Sequence, residues 1–117
     1  MHRSATLLAL DSATGACSAA VRAGGALVAH RFQAMARGQA EALMPMAAEV
    51  LAEAGLTATD LDGVAVTRGP GAFTGLRIGL SAARGLALAA GVPCLGVTTF
   101  QALAEAVPDA ELAAGGV

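Results

Sequence analysis

The stretch Arg68-Gly69-Pro70-Gly71-Ala72-Phe73-Thr74-Gly75-Leu76-Arg77-Ile78-Gly79 constrains this chain more than any other. It follows the apolar run Val64-Ala65-Val66-Thr67 and opens a long segment rich in Ala, Leu and Gly. Gly permits positive φ and Pro pre-sets φ, so Gly69-Pro70-Gly71 dictates a tight turn. Thr74 is placed to cap the helix beyond it, its hydroxyl accepting a first-turn backbone N–H. The sequence therefore predicts a buried strand joined directly to a helix. Two uses of that joint stay open. Free N–H groups at Thr74 to Arg77, with Arg68 and Arg77 adding charge, suit an anion. The same residues also suit a compact joint with surface arginines. The stretch is not a dinucleotide fingerprint, because Thr74 stands where the third Gly belongs and no acid occupies Thr98-Thr99.

The chain has 117 residues, enough for one domain with its own core. Hydrophobic residues make up 56% and charged residues 14%, which excludes disorder and leaves more apolar surface than one small domain hides. Net charge is −2, with seven Arg, no Lys and no basic cluster, so direct nucleic-acid binding is not expected. Without Lys there is neither a Walker A lysine nor a Schiff base. Without Trp or Tyr, stacking platforms for bases are nearly absent. Cys17 and Cys94 fall in predicted strands and read as small buried hydrophobes, which fits a reducing cytoplasm. Two Cys and the scattered His2 and His30 make no metal set. Asp11 stops the first apolar run too early for a signal peptide, and Arg77, Arg84 and Gly91-Val92-Pro93 interrupt the best membrane-span candidate.

The periodicity predicts strands at 6–10, 17–22, 26–32, 63–67 and 94–98. Gly24-Gly25 marks a hairpin. Helices are predicted at 36–54 and 75–90, with a third running to about residue 107 after a cap at Thr98 or Thr99. Gly55 should stop the first helix, and Pro45 should bend it by denying the Glu41 carbonyl its partner. Residues 56–62 read as a polar connection and 109–117 as a weak tail. The order β-β-β-α-β-α-β-α implies an antiparallel meander followed by parallel strands.

Both long helices carry more apolar rows than one sheet face needs. In the first, Ala42, Met46 and Val50 lie beside a core row that includes Leu43, Met44, Ala47 and Leu51. In the second, Leu76, Leu80, Ala83 and Ala87 form one row, with Ile78, Ala82 and Ala89 outside it and Gly79 between. Small residues such as Gly79 and Ala82 would admit a close partner helix. The surplus therefore points to a second packing surface, filled by a partner or by more of the same polypeptide.

Asp11, ahead of Ser12-Ala13-Thr14-Gly15, could hold a metal–phosphate complex through water or make an Asx-turn to its own backbone. Glu41, Glu49 and Glu53 read as a solvated helix face. No nucleophile–base constellation stands out.

Leu8-Ala9-Leu10-Asp11-Ser12-Ala13-Thr14, Cys17-Ser18-Ala19-Ala20-Val21, Glu41-Ala42-Leu43-Met44-Pro45-Met46 and Gly69 to Gly79 together resemble the TsaB (YeaZ-type) family of the tRNA threonylcarbamoyladenosine (t6A) pathway. The resemblance runs from about residue 5 to residue 106. It implies an α/β lobe of the actin-like ATPase (RNase H-like) superfamily with sheet order 3-2-1-4-5. On that order Cys17 and Cys94 lie on strands separated by two others and are too distant to bridge.

The resemblance further implies a non-catalytic subunit that docks on the TsaD catalytic subunit, or on itself, through its first two helices, in an assembly with a TsaE-type ATPase. The partner-binding candidates are Leu43, Met46, Val50, Ile78, Gly79 and Ala82. Asp11, Thr14, Gly71 and Thr74 are the nucleotide- or phosphate-binding candidates, for weak ATP or ADP binding in a full-length member. TsaD-type proteins carry paired metal-binding histidines in the helix after the third strand; residues 36–54 hold none, and Gln39 stands where relatives commonly have His. No metal is therefore expected. Family members have a second lobe and are about twice as long. The resemblance thus implies a lobe at 1–108, the beginning of an absent second lobe at 109–117, and a shortened or cleaved chain. The alternative reading is a nucleotide hydrolase or M22-type peptidase using the Gly-rich turn and Asp11.

Overall fold

The computed structural model describes residues 5–13, 15–69 and 73–98. Five strands form one mixed sheet in the order β3-β2-β1-β4-β5. They are β1 (Leu7–Asp11), β2 (Ala16–Ala23), β3 (Ala26–Ala34), β4 (Gly63–Gly69) and β5 (Cys94–Thr98). β1–β2 and β2–β3 pair antiparallel, whereas β1–β4 and β4–β5 pair parallel. This is the α/β topology the element order implied. Gly24 and Gly25 both adopt positive φ (61° and 79°), the twist that closes a two-residue hairpin between β2 and β3.

α1 (Gln39–Ala54) leads from β3 towards β4 and α2 (Phe73–Ala90) from β4 to β5. Gly55 ends α1 in the left-handed conformation, φ 73°. The N–H of Gly55 donates to the Ala52 carbonyl and that of Leu56 to the Leu51 carbonyl, satisfying the last turn. α1 stays one helix through Pro45. Pro45 and Glu41 both lie on its exposed side, where water can serve the carbonyl that Pro45 leaves without a donor. The connection to β4 is less polar than expected. It forms a 3₁₀ turn at Ala58–Asp60, closed by a reciprocal Thr57–Asp60 cap, and buries Leu61. The predicted third helix and the tail lie outside the described residues.

Side chains alternate across the sheet. Leu8 and Leu10 of β1, Cys17, Ala19 and Val21 of β2, and Val64 and Val66 of β4 meet α1 and α2 in the main core. On the opposite face Leu7, Ala65, Leu95 and Val97 form a smaller cluster. β3 is an edge strand with only Ala29 buried. Its Arg31 pairs with Ala19, so it points to the helix side, where it meets Glu53 and lies 3.8 Å from Glu49 of α1. The carboxylates expected on a solvated face thus partly tie α1 to the sheet edge.

Candidate functional site

β1 ends at Asp11, and the turn beyond it fixes the start of α2. Asp11 Oδ1 accepts the Ala13 N–H at 2.8 Å, the Asx-turn alternative for this residue. Ser12 is 2% exposed, and its hydroxyl donates to the Gly75 carbonyl at 2.6 Å. A Cβ on Gly75 would fall 2.1 Å from the Ser12 carbonyl oxygen, and one on Gly79 would fall 2.8 Å from Ser12 Oγ and 3.3 Å from Val66 Cγ2. At Gly75 helix and turn meet backbone to backbone, whereas at Gly79 the helix backbone meets the side chains of Ser12 and Val66. Glycine is needed at both positions for closeness.

That geometry corrects the assignment of α2's faces. The buried row is Gly75, Gly79, Ala83 and Ala87, one residue per turn, and Leu76 and Leu80 flank it half-buried. Gly79 therefore faces the protein's own sheet and is closed to a partner helix. α1 needs a similar correction. Leu43, Met46, Ala47, Val50 and Leu51 are its buried residues, and at 3.6 residues per turn they fit one arc of about 140°. Met46 and Val50 belong to the core, not to a second row. Met44, expected in the core, is 45% exposed.

An open groove of about 530 Å³ remains between the helices on their outer side. Ala40, Leu43 and Met44 of α1 line one wall; Thr74, Arg77, Ile78, Ser81 and Ala82 of α2 line the other. Of the partner-binding candidates, Leu43, Ile78 and Ala82 line the groove. Met46, Val50 and Gly79 are buried beneath the helices. Thr74 also differs from expectation. α2 begins at Phe73, so Thr74 lies inside the first turn and on the groove instead of preceding the helix. Thr14 and Gly71 lie outside the described residues.

Ser12 and Ser81 were not singled out from the sequence, and Ala40 and Met44 were read there only as part of the core row of the first helix. The signal for Ser12 was the four-residue recurrence Gly75-Gly79-Ala83-Ala87, which demands something close on the other side. Cys17 and Cys94 are free and buried, on strands separated by β1 and β4. Burial pushes both thiols up; the Asp11 charge adds to this at Cys17, and Arg84 opposes it at Cys94. Among the described residues no three His, Cys, Asp or Glu side chains are grouped to hold a metal ion, and no helix is long and apolar enough to cross a membrane.

Comparison with known proteins agrees with this architecture. The family described as TsaD, tRNA N6-adenosine threonylcarbamoyltransferase, matches residues 32–113. The tRNA threonylcarbamoyladenosine biosynthesis protein TsaB of Escherichia coli is 42% identical over 99 residues, covering 85% of this chain and 42% of that protein. A tRNA N6-adenosine threonylcarbamoyltransferase of Sorangium cellulosum is 53% identical over 62 residues, 53% of this chain and 17% of that one. Among solved structures, YeaZ from Pseudomonas aeruginosa superposes with a TM-score of 0.77 at 42% identity, over 81% of this chain and 44% of that chain. The chain thus spans less than half the length of these relatives. The sheet order and these matches agree: the chain belongs to the family described as TsaD, tRNA N6-adenosine threonylcarbamoyltransferase, and is a TsaB/YeaZ-type member of it.

Proposed function

We propose that this chain is a non-catalytic partner in the formation of threonylcarbamoyladenosine on tRNA, docking on a TsaD-type catalytic subunit through the outer sides of α1 and α2. The observation that carries this reading is the α1–α2 groove, with Met44, Ile78 and Ala82 at solvent-accessible positions on its walls. Apolar side chains left accessible along two adjacent helices suit a helix laid into the groove between them. The names of the TsaB relatives supply the pathway. In this reading a TsaE-type ATPase joins the same assembly, a second copy occupies the groove when the catalytic subunit is absent, and the work is done in the cytoplasm. Contact with tRNA falls to the partner, since this chain has net charge −2 and no Lys.

The test is co-elution with a TsaD-type protein, followed by light scattering. Met44→Glu and Ala82→Glu place a charge on the groove wall. Each is expected to abolish the mixed complex while the melting temperature stays within a few degrees of the parent's. A charge at Met46, which is only 7% exposed, would strike the core and test folding instead. Mixed complexes that persist with both groove variants would refute the reading.

A further inference from the structure

The residues that shape the groove on the α2 side are bonded, through the backbone, to residues that touch Ser12. Thr74 precedes Gly75 and Ile78 precedes Gly79. Both members of each pair lie in the first two turns of α2, so they move together as parts of one helix. On the α1 side, Leu43 is fully buried in the main core, which fixes that wall independently. The width of the groove is therefore set by where the start of α2 rests.

We propose that Ser12 is a positioning residue for docking: its hydroxyl, bonded to the Gly75 carbonyl and wedged against Gly79, sets the seat of α2 and with it the shape of the groove. This role rests on the groove being the docking surface. Ser12 is buried, so its hydroxyl has little access to water as a substitute partner, and losing the Gly75 carbonyl would leave it unsatisfied. The fit on the other side is equally tight. A methyl at position 79 would fall 2.8 Å from Ser12 Oγ, closer than carbon and oxygen can approach. With Oγ in its bonded position, that methyl must displace either the hydroxyl or the helix. If the hydroxyl is removed, the nearest of the other contacts is Val66 Cγ2 at 3.3 Å, which needs a shift of only a few tenths of an ångström. The two positions are thus coupled, and the sign of the coupling follows from the geometry.

The test measures binding of the full chain to a TsaD-type tRNA N6-adenosine threonylcarbamoyltransferase by titration calorimetry. The variants are Ser12→Ala, Gly79→Ala, the double variant and Ala82→Glu, each first verified as folded by circular dichroism. Ser12→Ala is expected to weaken binding by about tenfold, the range of coupling between touching residues. Gly79→Ala should weaken it further, and the double variant should bind more tightly than Gly79→Ala alone. Such rescue is not expected from residues that merely add stability independently. If Gly79→Ala does not fold, Ser12→Ala and the double variant decide. Parent-like binding by Ser12→Ala and the double variant, with binding lost in Ala82→Glu, would overturn the positioning role and leave the docking reading standing. If the parent chain itself does not bind, the docking reading fails and the positioning role falls with it.

Discussion

α1 faces the sheet with Leu43, Met46, Val50 and Leu51, whereas α2 faces it with Gly75, Gly79, Ala83 and Ala87. Both lie on the same side of the sheet, α1 mainly over β2 and β3 and α2 mainly over β4, and both reach β1. α1 fills a wide gap with long side chains. α2 presents small residues and brings its backbone against β4 and the turn after β1. An apolar count alone would treat the two helices as equivalent. Their packing differs in kind, so the sheet-facing row of α1 is most sensitive to truncation and that of α2 to enlargement.

The largest effect is expected from truncation on α1. Leu43→Ala leaves a cavity in a fully buried site and should cost about 2–5 kcal/mol, read from the shift in urea unfolding midpoint at constant slope. Enlargement should be the damaging change on α2. Gly75→Ala sets a methyl against the Ser12 carbonyl oxygen, where no side chain can move aside, and a loss of about 3 kcal/mol is expected by the same measurement. Equal stability of Gly75→Ala and the parent would show that α2 does not rest on the turn.

Gly85 sharpens the contrast within α2. It is exposed, has ordinary φ, and a Cβ there would meet nothing within 4 Å. Gly85→Ala should therefore stabilise by about 0.5–1 kcal/mol, a gain from helix propensity without a clash. Three glycines of one helix thus predict two signs.

The smallest effect is that of pH. Cys17 lies under the start of α1, its Sγ 3.7 Å from the Gln39 carbonyl, and Cys94 feels Arg84 of α2. Both thiols are held above their ordinary value of 9.0 by burial. As pH rises past that value the unfolded chain sheds these protons first, so it binds fewer protons and stability falls. Stability from these groups is complete below 9.0 and is lost as pH climbs through the folded-state values. With no Lys or Tyr in the chain, little else titrates there. Cys17→Ala and Cys94→Ala should each remove part of the alkaline decline in melting temperature. An unchanged decline in both variants would contradict this.

Most of the topology was legible in the sequence. Gly24-Gly25, Gly55 and the strand-like runs at Leu8 and Val64 carry local physics that tertiary packing did not override. The helix faces were less legible. Met44 and Met46 are chemically identical and two residues apart, and in an Ala-rich helix either can head the core row. What separates them is tertiary packing: Met46 falls within the arc of Leu43, Ala47, Val50 and Leu51 that meets the sheet, and Met44 falls outside it. Gly79 was read as room for a partner because glycine marks close approach without saying what approaches. The joint at Ser12 depends on a contact 63 residues apart in sequence, and the Gly75-Gly79-Ala83-Ala87 recurrence signals a close approach without naming what lies opposite.

The docking surface can be tested most directly with the methionine methyl groups. A chain carrying 13C-methyl methionine, titrated with a TsaD-type protein, gives separate signals for Met44 on the groove wall and Met46 in the core. Docking in the groove predicts that the Met44 signal shifts strongly and saturates with binding, while Met46 moves little. Saturable binding with the Met44 signal unmoved would contradict it.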